Sequence, residues 1–196
     1  MKIYIFGLIL ALFSTLSTAM PILDVNAGGS LVGARNVPVS GTLYDVVFSD
    51  GSCTEVYGSC DTASFTFQSE AEASLASQAL LERVFIDNAL GLFDSVPSLT
   101  FGCSAINTQC SAVTPYLTNG NPLLVQGRMA SNQPGGTGFV ASFSEMVAFS
   151  DLTNVSERVW ARWSLAAPIP EPTSLALMGL GIAGLGVRRK FPRRHH

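Results

Sequence analysis

Carboxylates are the main chemically active side chains in the central part of this sequence, residues 20–167. That part contains 13 acidic residues and five arginines, but no histidine and no lysine. Without an imidazole, Ser–His–Asp catalysis, Cys–His catalysis and histidine-ligated zinc are all excluded there. Carboxylate chemistry, an oxygen-ligand calcium site or no catalysis remain. We predict no catalytic residue and no cofactor.

Two groups of acidic residues are the candidates for such chemistry. The first group lies on one predicted helix and consists of Glu70, Glu72 and Glu82. Paired acids of this kind serve glycoside hydrolysis, but acids on the first turns of a helix usually complement its dipole. The second group lies near a turn and consists of Asp45, Asp50 and Asp61. Because no D-x-D-x-D-G loop is present, we predict no metal site.

Aromatic side chains could stack on sugar rings, and three are candidates: Tyr116, Trp160 and Trp163. Residues 158–165 alternate, so Trp163 shares a predicted strand face with Val159 and Leu165 and is predicted to lie in the core. Trp160 falls on the opposite face, between two arginines. We therefore predict that Trp160 is exposed and is the candidate ligand-stacking residue.

The charge of the central part excludes one class of partner. Five arginines against 13 acidic residues give residues 20–167 a formal charge of −8. A protein that binds the phosphate backbone of a nucleic acid needs the opposite balance. Nucleic acid is therefore excluded as a partner.

Four cysteines form two pairs with C-x6-C spacing, which is wider than the spacing that a tetrathiolate zinc site prefers. The pairs are Cys53 with Cys60 and Cys103 with Cys110. In an exported chain, disulfide bonds are the expected state of these residues. Three connectivities are open, and we favour a bridge within each pair over the cross-pairing Cys53–Cys103 with Cys60–Cys110.

The pattern of the elements predicts an α+β fold. Residues 39–48 alternate as a strand, and Asp50-Gly51 predicts a hairpin with a return strand at 53–57. Residues 64–67 form another short strand. A capping box of Ser69 and Glu72 begins a long helix over residues 71–92. Further strands are predicted at 99–103, 123–129, 138–149 and 158–165. We expect an antiparallel sheet packed against one long helix.

The N-terminal residues have the pattern of a secretory signal peptide. Lys2 supplies a positive charge, residues 3–16 are almost wholly apolar, and the small residues Ser17, Thr18 and Ala19 follow. This pattern predicts cleavage after Ala19, so that residues 1–19 are removed on export. The predicted extracytoplasmic domain then covers residues 20–167.

The C-terminal residues combine a stiff spacer, an apolar run and a basic end. Residues 168–172 form the spacer and contain Pro170, Glu171 and Pro172. Residues 173–187 carry no charge and predict a single transmembrane helix within the segment 173–196, although 15 residues are fewer than the roughly 20 that usually span a bilayer. The basic stop consists of Arg188, Arg189 and Lys190. This order of elements predicts a membrane anchor with a cytoplasmic C-terminus.

These three elements in this order resemble the C-terminal sorting signal of the PEP-CTERM family. The resemblance covers about residues 168–194 and assigns Pro170, Glu171 and Pro172 to the signature tripeptide. It implies an exosortase-type membrane transpeptidase as partner, which recognises the tripeptide and cuts near it. It also implies that the protein belongs to a Gram-negative bacterium and that its precursor is anchored in the inner membrane. The final location is then the cell surface or the extracellular matrix.

The function expected from these features is a non-catalytic, membrane-tethered protein of the surface or the exopolysaccharide matrix. An extracellular polysaccharide is then an expected partner. Two alternatives stay open. One is an extracytoplasmic carbohydrate-binding module, which exposed aromatic side chains would support. The other is a carboxylate-dependent glycoside hydrolase, which two acids facing each other across a cleft would support.

Overall fold

The computed structural model describes residues 20–104, 108–118, 124–146, 151–153 and 155–168. The compact unit that contains nearly all of them ends at Ala166, and only two described residues belong to the second unit, Ala167–His196. The described elements, in chain order, are β1 (Ile22–Val25), β2 (Leu31–Val39), β3 (Thr42–Ser49), α1 (Cys53–Tyr57), α2 (Glu70–Arg83), β4 (Asp87–Asn88), β5 (Gly91–Leu92), β6 (Cys110–Thr118), β7 (Leu124–Asn132), β8 (Phe139–Met146) and β9 (Arg158–Leu165).

Seven of the strands form one sheet in the order β1-β2-β3-β9-β6-β7-β8, and β4 pairs with β5 in a small separate ladder. The last strand, β9, lies in the middle of the large sheet. It pairs antiparallel with β3 and parallel with β6. The fold is therefore mostly β and its sheet is mixed. The predicted α+β fold, with an antiparallel sheet packed against one long helix, is wrong.

The main helix is shorter than the sequence pattern predicted. Helix α2 begins at Glu70, with Ser69 as N-cap accepting a hydrogen bond from the Glu72 backbone, so its predicted start is confirmed to within one residue. It ends at Arg83 rather than near Leu92. Its buried side chains are mostly small: Ala73, Ala76, Ser77, Ala79 and Leu80. Leu75, by contrast, is 51% exposed.

The first hairpin also lies elsewhere. Its turn is Ser40-Gly41, where both residues have positive φ angles of 49° and 84°. Positive φ at both central positions is the signature of the type I′ turn, whose twist suits a two-residue hairpin. After Asp50 the chain forms helix α1 instead of the predicted return strand, because Ser52 and Glu55 make a complete capping box. The strands predicted at 64–67 and 99–103 are absent from the described elements.

Apolar layers lie against both faces of the large sheet, and the strand residues of the second layer come from β6, β7, β8 and β9. We call the layer under α2 the first core; it contains Phe48, Leu80, Phe85 and Trp163. The layer on the opposite face, the second core, consists of Cys53, Phe65, Val113, Val125, Phe143, Leu152 and Trp160. A sheet covered on both sides buries alternate residues in both directions, so its central strands carry large apolar residues on each face.

The predicted signal peptide (1–19) and the predicted transmembrane helix (173–196) lie outside the described residues. The spacer 168–172 also falls outside them, apart from Pro168. Within the described part of the chain, no helix combines the length and the apolar character needed to cross a bilayer.

Candidate functional site

Trp160 is buried, so the prediction that it offers an exposed stacking surface is wrong. Its side chain is 0% exposed. The indole Nε1–H donates a hydrogen bond to the carbonyl oxygen of Gly51 at 3.0 Å. Tyr57 and Phe143 meet the indole edge-on, with ring centroids 5.9 and 5.7 Å away. Trp160 is therefore an anchor of the second core and has no surface left for a ligand.

Helix α1 and the loop after it account for this burial. The disulfide bond between Cys53 and Cys60 closes this segment, with a Cα–Cα distance of 5.5 Å. It holds Tyr57 against β9, where the phenol hydroxyl donates a hydrogen bond to the Ala161 carbonyl at 3.1 Å. Burial raises the pKa of Tyr57, partly opposed by the charge of Arg162. Tyr57 is thus a neutral structural donor.

The second disulfide bond joins Cys103 to Cys110, with a Cα–Cα distance of 5.9 Å. Both bridges follow the pairing that we favoured from the spacing, and no cysteine of the chain is free. Cys110 begins β6 and lies in the first core. The bridge therefore ties the loop before β6 to the middle of the sheet.

The three candidate glutamates each have a local structural partner. Glu70 pairs with Arg128 across the gap between α2 and β7, at 3.2 Å. Glu72 completes the N-terminal cap by accepting a hydrogen bond from the Ser69 hydroxyl at 2.8 Å. Glu82 accepts one from the Gln78 side-chain amide at 2.9 Å. This is the arrangement of a capped surface helix, and it does not resemble a pair of acids across a cleft.

The three candidate aspartates also make local contacts, and the pKa of Asp61 is lowered by hydrogen bonds from Ser64 and Ser59. Asp45 accepts a hydrogen bond from the Asn36 backbone and Asp50 one from the Gly51 backbone. Across the described residues, no three His, Cys, Asp or Glu side chains are grouped to hold a metal ion.

Tyr116 belongs to a polar cluster under the N-terminal end of α2. Its hydroxyl donates to the Gln126 side chain at 3.2 Å. Partial burial and then the charge of Glu70 raise the pKa of Tyr116, while Arg128 opposes them. Arg128 donates to the Ser142 hydroxyl at 2.7 Å in addition to its ion pair with Glu70. This cluster joins α2 to the β6–β7–β8 part of the sheet.

A groove lies between the β2–β3 hairpin and the N-terminal half of α2. We call it the Tyr44 groove; its volume is about 180 Å³, and it is lined by Val39, Ser40, Thr42, Tyr44, Phe67, Glu72 and Leu75. The Tyr44 ring lies 5.0 Å from Phe67 and meets Trp163 edge-on at 6.4 Å. Sequence reasoning missed this site because it placed the hairpin at Asp50-Gly51. The sequence feature that could have revealed the hairpin is Ser40-Gly41, the two-residue turn that begins four residues before Tyr44.

The chain matches the family model of the PEP-CTERM protein-sorting motif over residues 168–190. The match spans the Pro170, Glu171 and Pro172 tripeptide and ends with the basic residues Arg188, Arg189 and Lys190. It confirms the resemblance derived from the sequence, and it marks an exported protein that is sorted and processed through exosortase. No curated protein and no solved structure matches the chain, and the family match does not extend into the domain before the motif.

Proposed function

We propose that this chain is a non-catalytic protein of the cell surface or the exopolysaccharide matrix, and that exosortase sorts it there from a membrane-bound precursor. The observation that carries the proposal is the position of the PEP-CTERM motif. The motif begins at residue 168, two residues after the disulfide-bonded unit ends at Ala166. In this arrangement a folded domain is followed directly by the signal for its processing.

The chemistry of the domain supports a non-catalytic role. Residues 20–167 have no histidine or lysine, and all four cysteines are oxidised. The usual activated nucleophiles therefore have no imidazole or amine base to activate them. The carboxylates that sequence reasoning singled out accept hydrogen bonds from nearby backbone or side-chain groups or pair with arginine.

Replacing Glu171 by alanine tests the sorting part of this proposal. Glu171 carries the only charge of the tripeptide, and a hydrogen bond to a charged group contributes about 1.5–3 kcal/mol. We expect the Glu171→Ala variant to be processed at least about tenfold more slowly and to accumulate as the uncut, membrane-associated form. Fractionation and mass measurement of the pulse-labelled protein check this.

The matched control is Glu157→Ala, which removes an exposed carboxylate of the domain. It should be processed like the unaltered protein. Normal processing of the Glu171→Ala variant would refute sorting through this tripeptide.

Assays of the purified protein test the non-catalytic part. We expect no turnover of general ester, peptide or glycoside substrates above the buffer rate, because neither imidazole nor a free thiol is present in the domain. Turnover of a glycoside with a pH profile set by two carboxylates would instead establish the hydrolase alternative.

A carbohydrate-binding module is the second candidate function, and the Tyr44 groove is the observation that favours it. The groove combines aromatic walls with hydroxyl and carboxylate acceptors. Binding sites for small molecules are concave and largely apolar, with a few polar groups that fix orientation.

A further inference from the structure

We infer that the Tyr44 groove binds one ring of a neutral sugar. This inference rests on the proposed function, because it names the partner through which a surface or matrix protein would hold a neutral glycan. The size of the groove sets the scale of the ligand. Sites for drug-sized ligands enclose about 300–1,000 Å³, whereas this groove encloses about 180 Å³. A single ring at a chain end or a side branch fits that volume better than an extended oligosaccharide.

One side of the groove is apolar and held rigid. Phe67 is 4% exposed and packs against both Tyr44 and Trp163, with ring centroids 5.0 and 5.6 Å away. Leu75 faces outward from α2 and is 51% exposed. A leucine at this position on a capped helix contributes little to the core, and it is available to cover the C–H face of a ring. Rigid aromatic walls reduce the entropy lost on binding.

The other side offers hydrogen-bonding groups. The carboxylate of Glu72 uses Oε2 for the helix cap, accepting from the Ser69 hydroxyl at 2.8 Å and the Gln68 backbone at 3.3 Å. Among the described residues, its Oε1 and the hydroxyls of Thr42 and Tyr44 have no hydrogen-bond partner. Two residues with hydroxyls and one with a charged acceptor therefore line one small space, and these groups can hydrogen-bond to the hydroxyls of a sugar.

Charge selects among the ligands that could fill this space. Among the residues that the structure describes, no arginine, lysine or histidine lines the groove, and the domain has a formal charge of −8, so a uronate or a phosphorylated sugar would be repelled. An ammonium ligand would be drawn to Glu72, but that carboxylate already neutralises the N-terminus of α2. A neutral sugar ring with several hydroxyl donors can hydrogen-bond to the lone pairs that Glu72 does not use for the cap, and it does not compete with the helix N-terminus for the charge of Glu72.

The test is a titration of the processed protein, with both disulfide bonds intact, with the methyl glycosides of glucose, galactose and mannose. NMR shifts of the Thr42 and Leu75 amides report the site. At least one glycoside should bind. Glu72→Gln should weaken it about tenfold, because the charged acceptor is lost while glutamine still supports the capping box. Tyr44→Phe, which removes only the hydroxyl, should weaken it about threefold or more.

The matched control is Glu82→Gln, on the same helix with its carboxylate bonded to Gln78, and it should bind like the unaltered protein. Three results would overturn the inference: no glycoside binds at millimolar concentration, Glu72→Gln binds with unchanged affinity, or galacturonate or ethylammonium binds more tightly than the methyl glycosides. None of these results bears on sorting, which the Glu171→Ala variant tests separately.

Discussion

Replacing Trp160 by alanine is expected to lower the free energy of unfolding by about 3–5 kcal/mol, the range for removing a fully buried large aromatic side chain. Trp160 is 0% exposed and contacts Tyr57 and Phe143 at ring-centroid distances of 5.9 and 5.7 Å. Its removal leaves a cavity in the middle of the second core. Urea denaturation of the disulfide-intact protein measures the change.

Two further variants separate packing from hydrogen bonding. Trp160→Phe keeps a ring but loses the hydrogen bond to Gly51, and we expect a loss of about 1–2 kcal/mol. The Gly51 carbonyl keeps its second donor, the Leu152 backbone at 3.0 Å. Leu165→Ala, on the same strand and 68% exposed, should change the stability by less than about 0.5 kcal/mol. A Trp160→Ala variant as stable as the unaltered protein would contradict the burial of this side chain.

Removing the Cys53–Cys60 bridge by replacing both cysteines with alanine should cost about 2–5 kcal/mol. The bridge closes a loop with a sequence separation of seven, and Cys53 is itself fully buried. The loss combines the entropy that the open chain regains with the lost packing of the sulfur. The free energy of unfolding in urea again gives the magnitude.

The indole N–H resonance of Trp160 adds a local readout, because its acceptor Gly51 lies two residues before Cys53. This resonance should shift in the variant without the Cys53–Cys60 bridge. The comparison variant lacks Cys103–Cys110, which has the same sequence separation but places Cys110 in the first core. Its free energy of unfolding should fall by a similar amount, but the Trp160 indole resonance should not shift. Equal shifts in both variants would contradict a second core organised by the first bridge.

The sequence predicts those features that depend on neighbouring residues. The start of α2 follows from Ser69 and Glu72, and the disulfide pairing follows from two short cysteine spacings. Strands were predicted at 123–129, 138–149 and 158–165, and all three are present in the structure within a few residues of these ranges. The sorting motif is likewise a contiguous pattern, which is why the tripeptide and the basic end were sufficient to recognise it.

The features that sequence reasoning missed depend on contacts between distant residues. The alternation of residues on β9 predicted one buried and one exposed face. It could not show that residues 53–65 and Leu152, which are distant in sequence, cover the second face. The helical pattern continued to Leu92, but the chain turns after Val84 so that Phe85 can stack on Phe48 at 5.5 Å. Parallel pairing of β6 with β9 joins residues that are 47 positions apart in the chain, such as Ser111 and Arg158, and no local signal encodes it.

The central position of β9 has a consequence for how this protein is made. Without β9, strands β3 and β6 have no partner on their inner sides, and the sheet separates into two three-stranded halves. In a chain that is exported from its N-terminus, the two halves would stay incompletely folded until residues 158–165 follow. Those residues arrive just ahead of the motif at 168. In that route the sheet would close at the stage of export at which the signal for processing reaches the membrane.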